Sequence, residues 1–120
     1  MFLCYIKYTI DLNKLEEFRA YASTWITLIE KYGGSHQGYF LPDNDLNNTL
    51  NTCFSFPELG KPGADNIAIA LFNFKDINAY KEYRKNVKDD PLCVQATELM
   101  LKSKCVVHYE RIFLTPLAKI

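Results

Sequence analysis

The most telling pattern of apolar and polar positions runs from Asn66 to Phe74, where almost every residue from Ile67 onwards is apolar. Successive side chains of a strand leave opposite faces, so Ile67, Ile69 and Leu71 point one way and Ala68, Ala70, Phe72 and Phe74 the other. Such a strand needs cover on both sides. A first strand is predicted over residues 2–10, with Phe2, Cys4, Ile6, Tyr8 and Ile10 on one face and Leu3, Tyr5, Lys7 and Thr9 on the other. Asn13 followed by Glu16 reads as a capping box. Leu15, Phe18, Ala22, Trp25, Ile29 and Tyr32 then recur at helical spacing up to the left-handed stop expected at Gly33 and Gly34.

Residues 35–41 form a weaker strand, polar and glycine-containing, suited to a sheet edge. Asn, Asp, Pro and Gly dominate residues 43–65, a long inter-strand loop of the kind that serves as a lid or surface segment. Leu46, Leu50, Phe54, Phe56 and Leu59 make it too apolar for pure disorder, so part of it is expected to pack back or to meet a partner. Asp76 caps a helix carrying Ile77, Tyr80, Tyr83, Arg84 and Val87. Asp90 and Pro91 open a second helical segment through Leu92, Ala96, Leu99 and Met100. Residues 105–114 are a last strand, charged enough for an edge.

Strand, helix, strand, strand, helix, strand has a ready solution, the α+β ferredoxin-like βαββαβ fold with a four-stranded antiparallel sheet. Right-handed crossovers place the first and third strands in the middle, and these are the most apolar. Both helices then cover one face. The other would be a larger apolar patch than soluble monomers expose, and a two-fold contact with a second copy would bury it, so a homodimer is expected.

Composition adds limits. The 120 residues suit one domain, 1–120, and the 48% hydrophobic and 23% charged content is that of a globular protein. Fourteen Lys and Arg against fourteen Asp and Glu leave no basic stripe for nucleic acid. The N-terminal residues lack a signal-peptide pattern and no stretch reaches membrane-spanning length, so the expectation is a cytoplasmic protein with no membrane partner. Cys4, Cys53, Cys93 and Cys105 show no metal or redox spacing; three read as buried small hydrophobes and Cys53 as a loop thiol.

A small-molecule pocket in this architecture lies between helices and sheet, walled by aromatics. The candidates for catalysis are His36, Arg84 and Tyr39, and those for ligand binding are Tyr8, Trp25, Tyr80, Tyr83 and His108. His36 is either a general base or an edge-strand histidine bonded to backbone or water. Arg84, one turn after Tyr80, either grips a substrate carboxylate or enolate or pairs with Glu82, Asp89 or Glu110. Trp25 is core or a stacking surface, and His108, on an edge, faces a partner, solvent or ligand. The two histidines have no carboxylate at matching spacing, and phosphate loop and nucleophile elbow are missing, so neither metal nor cofactor is expected.

Short pieces in order along the chain resemble the NIPSNAP proteins of the dimeric α/β barrel superfamily. They are Tyr8 to Ile10, Lys14 with Leu15 and Phe18, Lys31 with Gly33 and Gly34, Gly38 to Pro42, Asn66 to Leu71, Ala79 with Tyr80, Tyr83 and Arg84, Asp90 with Pro91, and Glu110 to Leu114. The departure is residues 44–63, longer than the family's usual connection. The resemblance implies a ferredoxin-like subunit that dimerises through its sheet. Superfamily relatives include cofactor-free monooxygenases, haem-degrading proteins, lactone isomerases and chlorite-decomposing enzymes, while many NIPSNAP members have no assigned activity. Two readings follow. One is a cofactor-independent monooxygenase or isomerase acting on a small apolar carbonyl or aromatic compound; the other is a non-catalytic interaction or assembly module.

Overall fold

Strand β1 (Phe2–Ile10) takes a central place, since its apolar row must lie under helices on one side while both edges are paired. The computed structural model describes residues 1–50 and 58–118. β1 pairs with β3 (Ile67–Phe74) on one side and β4 (Val106–Leu114) on the other, and β2 (Ser35–Phe40) completes the order β2-β3-β1-β4. All neighbours are antiparallel. The α+β ferredoxin-like sheet is therefore as expected, with its two most apolar strands in the middle.

The helices are α1 (Leu15–Lys31), α2 (Asn44–Thr49), α3 (Ile77–Val87) and α4 (Pro91–Ser103). The entry to α1 corrects the expected capping box. The Asp11 carboxylate accepts the Asn13 N–H at 2.9 Å and starts a 3-10 turn, Leu12–Lys14, while α1 itself has no side-chain cap. Asp11 lies two residues before an amide it can reach, so it takes the local turn ahead of Asn13. Glu16 pairs instead with Arg19 at 3.7 Å. α1 stops where Gly33 adopts φ +95° and the Gly34 N–H donates to the Ile29 carbonyl at 2.9 Å.

Asp76 and Asp90 cap α3 and α4, accepting the Ala79 and Leu92 N–H groups at 2.9 Å each. The second oxygen of Asp90 receives the Lys31 ammonium and the Tyr32 hydroxyl, both at 2.7 Å. One buried carboxylate thereby ties the start of α4 to the end of α1.

Along its shortest axis the molecule measures 17 Å, room for two layers. On the helix side lie Cys4, Tyr8 and Ile10 of β1 and Ala68, Ala70, Phe72 and Phe74 of β3, all buried. Leu28, outside the predicted stripe, is fully buried beside Ile29. The opposite rows remain half-open, and register aligns Leu71, Tyr5 and Ile112 there across three strands.

The segment after β2 begins with α2, capped by Asp43, and the Asn44 amide donates to the Asp65 carbonyl at 2.9 Å. Leu46, Leu50 and Leu59 are exposed, so they do not pack back on the domain. Phe54, Phe56 and the expected loop thiol Cys53 lie outside the described residues. Cys4 and Cys105 are buried and Cys93 is half-buried. Among the described residues no helix is long and apolar enough to cross a membrane.

Candidate functional site

The helix-side core divides into two clusters, one around Phe74, Tyr80, Tyr83 and Leu28, the other around Phe18, Tyr8, Ala68 and Ala70. Ile6 packs against both, and a cavity of about 210 Å³ opens above it. Its position follows from register. Tyr39, Ala70, Ile6 and Arg111 align across the sheet, and the next row holds Ala68, Tyr8 and Tyr109. Alanines in the central strand leave the floor low, while Tyr39 and Tyr8 rise on either side. α1 contributes Tyr21 and Trp25 to the walls, α3 contributes Tyr80, Tyr83 and Arg84, and α4 contributes Thr97 and Met100.

Of the residues singled out from sequence, Tyr8, Trp25, Tyr39, Tyr80, Tyr83 and Arg84 line this one cavity. His36 and His108 do not. His36 lies one row away, opposite Phe72, with its ring stacked on Tyr39 (5.1 Å) and on Phe72 (5.4 Å). Its Nδ1 accepts the Gly38 N–H at 2.8 Å, which places the ring proton on the buried Nε2. Burial holds its pKa down at about 4, so it is neutral at physiological pH. Its basic lone pair is already engaged, and a general base needs that lone pair free. His36 thus buttresses Tyr39 from behind. His108 sits opposite Thr9, in the row facing away from the helices, and is exposed.

Neither Glu82, Asp89 nor Glu110 forms an ion pair with Arg84 among the described residues. Sequence reasoning missed Arg111, Tyr109 and Tyr21. The signal for the first two was the alternation Tyr109, Arg111, Phe113 along β4, uninformative until pairing with β1 fixes which row faces the helices. Tyr21 precedes Trp25 by one helical turn and so shares its face.

Burial pushes the phenols of Tyr8, Tyr21, Tyr39 and Tyr83 up, and that of Tyr80 as well. Each remains a neutral hydroxyl able to donate. The Tyr8 and Tyr39 hydroxyls lie 3.4 Å apart. Burial also raises the Cys4 thiol to about 11, against the pull of Arg111 and Arg84, and the same two guanidiniums oppose the rise at Tyr80. Both guanidiniums therefore act on Tyr80, which lines the cavity. Among the described residues no group of three His, Cys, Asp or Glu converges as a metal site.

This arrangement defines a class: a two-layer ferredoxin-like α+β domain with an aromatic cavity between helices and sheet. Within that class the fold is that of the NIPSNAP domain proteins. An uncharacterized NIPSNAP domain protein from Burkholderia xenovorans superposes with a TM-score of 0.71 at 19% identity, covering 98% of this chain and 96% of that one. A NIPSNAP family protein of unknown function from Agrobacterium tumefaciens gives 0.68 at 14% identity over 97% and 87% of the two chains. A candidate antibiotic biosynthesis monooxygenase from Nitrosomonas europaea gives 0.51 at 9% identity over 98% and 100%. No protein-family model and no curated protein sequence matches the chain. The resemblance read from the sequence thus holds at the level of the fold.

Proposed function

We propose that this chain is a NIPSNAP-like homodimeric protein that binds a small apolar carbonyl or aromatic compound, and acts on it as a cofactor-independent monooxygenase or isomerase. The cavity carries the reading. Its walls are aromatic, its polar groups include phenols held neutral by burial, and Arg84 and Arg111 also line it. Tyr39 and Tyr8 would donate to a carbonyl oxygen, and Arg84 would pair with a carboxylate or an enolate that reaches the cavity already ionised. Tyr80, Tyr83 and Trp25 would supply the stacking surfaces. The monooxygenase-like neighbour shares this fold, which makes oxygenase chemistry a natural class to test.

The experiment is a thermal-shift screen of ring ketones and aromatic acids, followed by oxygen-consumption assays on every binder. At a hundredfold excess over its dissociation constant a ligand adds about 2.7 kcal/mol of apparent stability, well within reach of such a screen. Binding that disappears when Thr97→Trp plugs the mouth supports the site. A screen without any such binder removes it.

A second reading, a non-catalytic interaction module, is favoured by one observation, the exposure of Leu46, Leu50 and Leu59 after β2. It requires that deleting residues 44–63 abolish partner capture and leave the rest of the domain folded.

A further inference from the structure

Among the described residues, the cavity wall holds two full positive charges, Arg84 from α3 and Arg111 from β4, and no carboxylate. Neither guanidinium has an ion-pair partner among the described residues. Arg111 is placed by register: it sits opposite Ile6, the cavity floor, and its guanidinium lies 5.1 Å from the Phe113 ring centroid. Phe113 in turn packs edge-on to Tyr80, one turn before Arg84. Two like charges brought to one cavity repel each other, and an anion between them relieves that repulsion. The remaining polar groups point the same way. Tyr8, Tyr21, Tyr39, Tyr80 and Tyr83 offer hydroxyls, and Trp25 carries a buried indole N–H with no partner among the described residues. The site is rich in donors and, among the described residues, has no acidic or histidine side chain to take a proton.

We propose that the cavity is selective for a compact aromatic carboxylate, its carboxylate seated between Arg84 and Arg111 at the mouth and its ring over Ile6 against Trp25 and Tyr39. Size fits this class. A cavity of about 150 Å³ admits benzene, so one of about 210 Å³ takes a single ring with a short acidic arm. Guanidinium groups suit carboxylates because their planar forks match two oxygens at once. Both arginines are exposed enough to meet an incoming anion, while the ring would lie on the buried side. The inference rests on the cavity being a ligand site, and it names the ligand's charge.

The test uses phenylacetate, its neutral isostere phenylacetamide and the cation phenethylamine, titrated calorimetrically into the full chain. Arg84→Gln, Arg111→Gln and Thr97→Trp serve as variants, with circular dichroism checking each fold. The expected result is that phenylacetate binds at least about tenfold more tightly than the amide and the amine does not bind. Each arginine variant should lose about tenfold for the acid and little for the amide, and added salt should weaken only the acid. Equal binding of acid and amide, indifferent to both arginines but lost in Thr97→Trp, overturns the charge selectivity and leaves the cavity reading standing. Acid binding that survives Thr97→Trp places the ligand elsewhere and overturns both. Binding by none of the three probes likewise rules out this ligand class, whereas the broader screen decides the cavity itself.

Discussion

The Tyr8 hydroxyl meets the Tyr39 hydroxyl at 3.4 Å, although their strands, β1 and β2, are separated by the whole of β3. They meet because their neighbours on β3 are Ala68 and Ala70, both completely buried and too small to stand between them. The two rings are stacked, 5.9 Å between centroids, and Phe18 packs edge-on against both. Two alanines thus set the width of the cavity floor.

Ala70→Leu should therefore act on stability and on the site together. The added branches enter space held by Tyr39 and Ile6, and overpacking of this kind costs about 1–3 kcal/mol. The denaturation midpoint should fall while the transition slope stays constant, and any cavity ligand should bind more weakly. Unchanged stability with unchanged binding would show that the tyrosines can part freely.

Gly34→Ala should be harmful for a different reason. A Cβ there would lie 2.6 Å from Ile29 Cγ2 and 2.9 Å from Phe74 Cζ, and both partners are core side chains without room to retreat. The expected loss is about 1–3 kcal/mol, read from urea unfolding. Gly33 differs, since a Cβ there meets open space and only its left-handed φ of +95° opposes substitution. Gly33→Asn should be tolerated far better than Gly34→Ala, because Asn accepts the left-handed region.

The Lys31, Tyr32 and Asp90 cluster predicts a pH dependence whose sign can be worked out. Donation from Lys31 first, then from Tyr32 and the Leu92 N–H, holds the Asp90 carboxyl at about 2, below its ordinary value of 3.8. Folding therefore favours the ionised form. The stability this lends is complete above the unfolded value of about 3.9 and drains away as pH falls towards the folded one. Asp90→Asn cannot ionise. Its stability deficit against wild type should be constant from neutral pH down to about 5, shrink below about 4 and be lost as pH falls through about 2. Midpoints of urea unfolding across that range give the curve, and a deficit independent of pH would mean that the carboxylate's charge contributes nothing.

Much of the fold was legible because the strand rows obey simple alternation. Ala68, Ala70, Phe72 and Phe74 are buried together, as two-sided reading of residues 67–74 requires. The strand order followed from the same rows, since the most apolar strands had to be central. The start of α1 departs from the expected capping box, because Asn13 and Glu16 satisfy a capping pattern that Asp11 pre-empts by reaching the nearer amide. In the site, Tyr8, Tyr39, Tyr80 and Arg84 were found as aromatics and a charge on core-facing stripes. Arg111 was not, because its strand is exposed from Val107 to Leu114 and its residues look like an ordinary solvated edge. Only antiparallel pairing with Ile6 turns one of them into a cavity wall. The ordinary titration range of histidine suits His36 to a base, yet the Gly38 N–H engages the very nitrogen that such a role would need.

The sheet face away from the helices supports the last prediction. Register brings Leu71, Tyr5 and Ile112 into one row there, and Phe40, Ile69, Lys7 and Glu110 into the next. Phe40 is 53% exposed and Ile112 48%, so this face is open where a core would have a second layer. A second copy applied by a two-fold axis would supply that layer, and Leu71, near the middle, would become buried. Leu71→Lys would then place an unpaired ammonium in a dry interface, a change that costs several kcal/mol, about 3–5 for a broken buried pair. In a single chain the same lysine would reach solvent, because Leu71 is half-exposed and its row touches neither the cavity nor the helices. Wild type should therefore sediment at twice the chain mass at micromolar concentration, and Leu71→Lys at the mass of one chain with an unchanged circular dichroism spectrum. A wild-type protein that already sediments as one chain would leave the face without a partner and end the homodimer proposal, while the cavity on the opposite face would be unaffected.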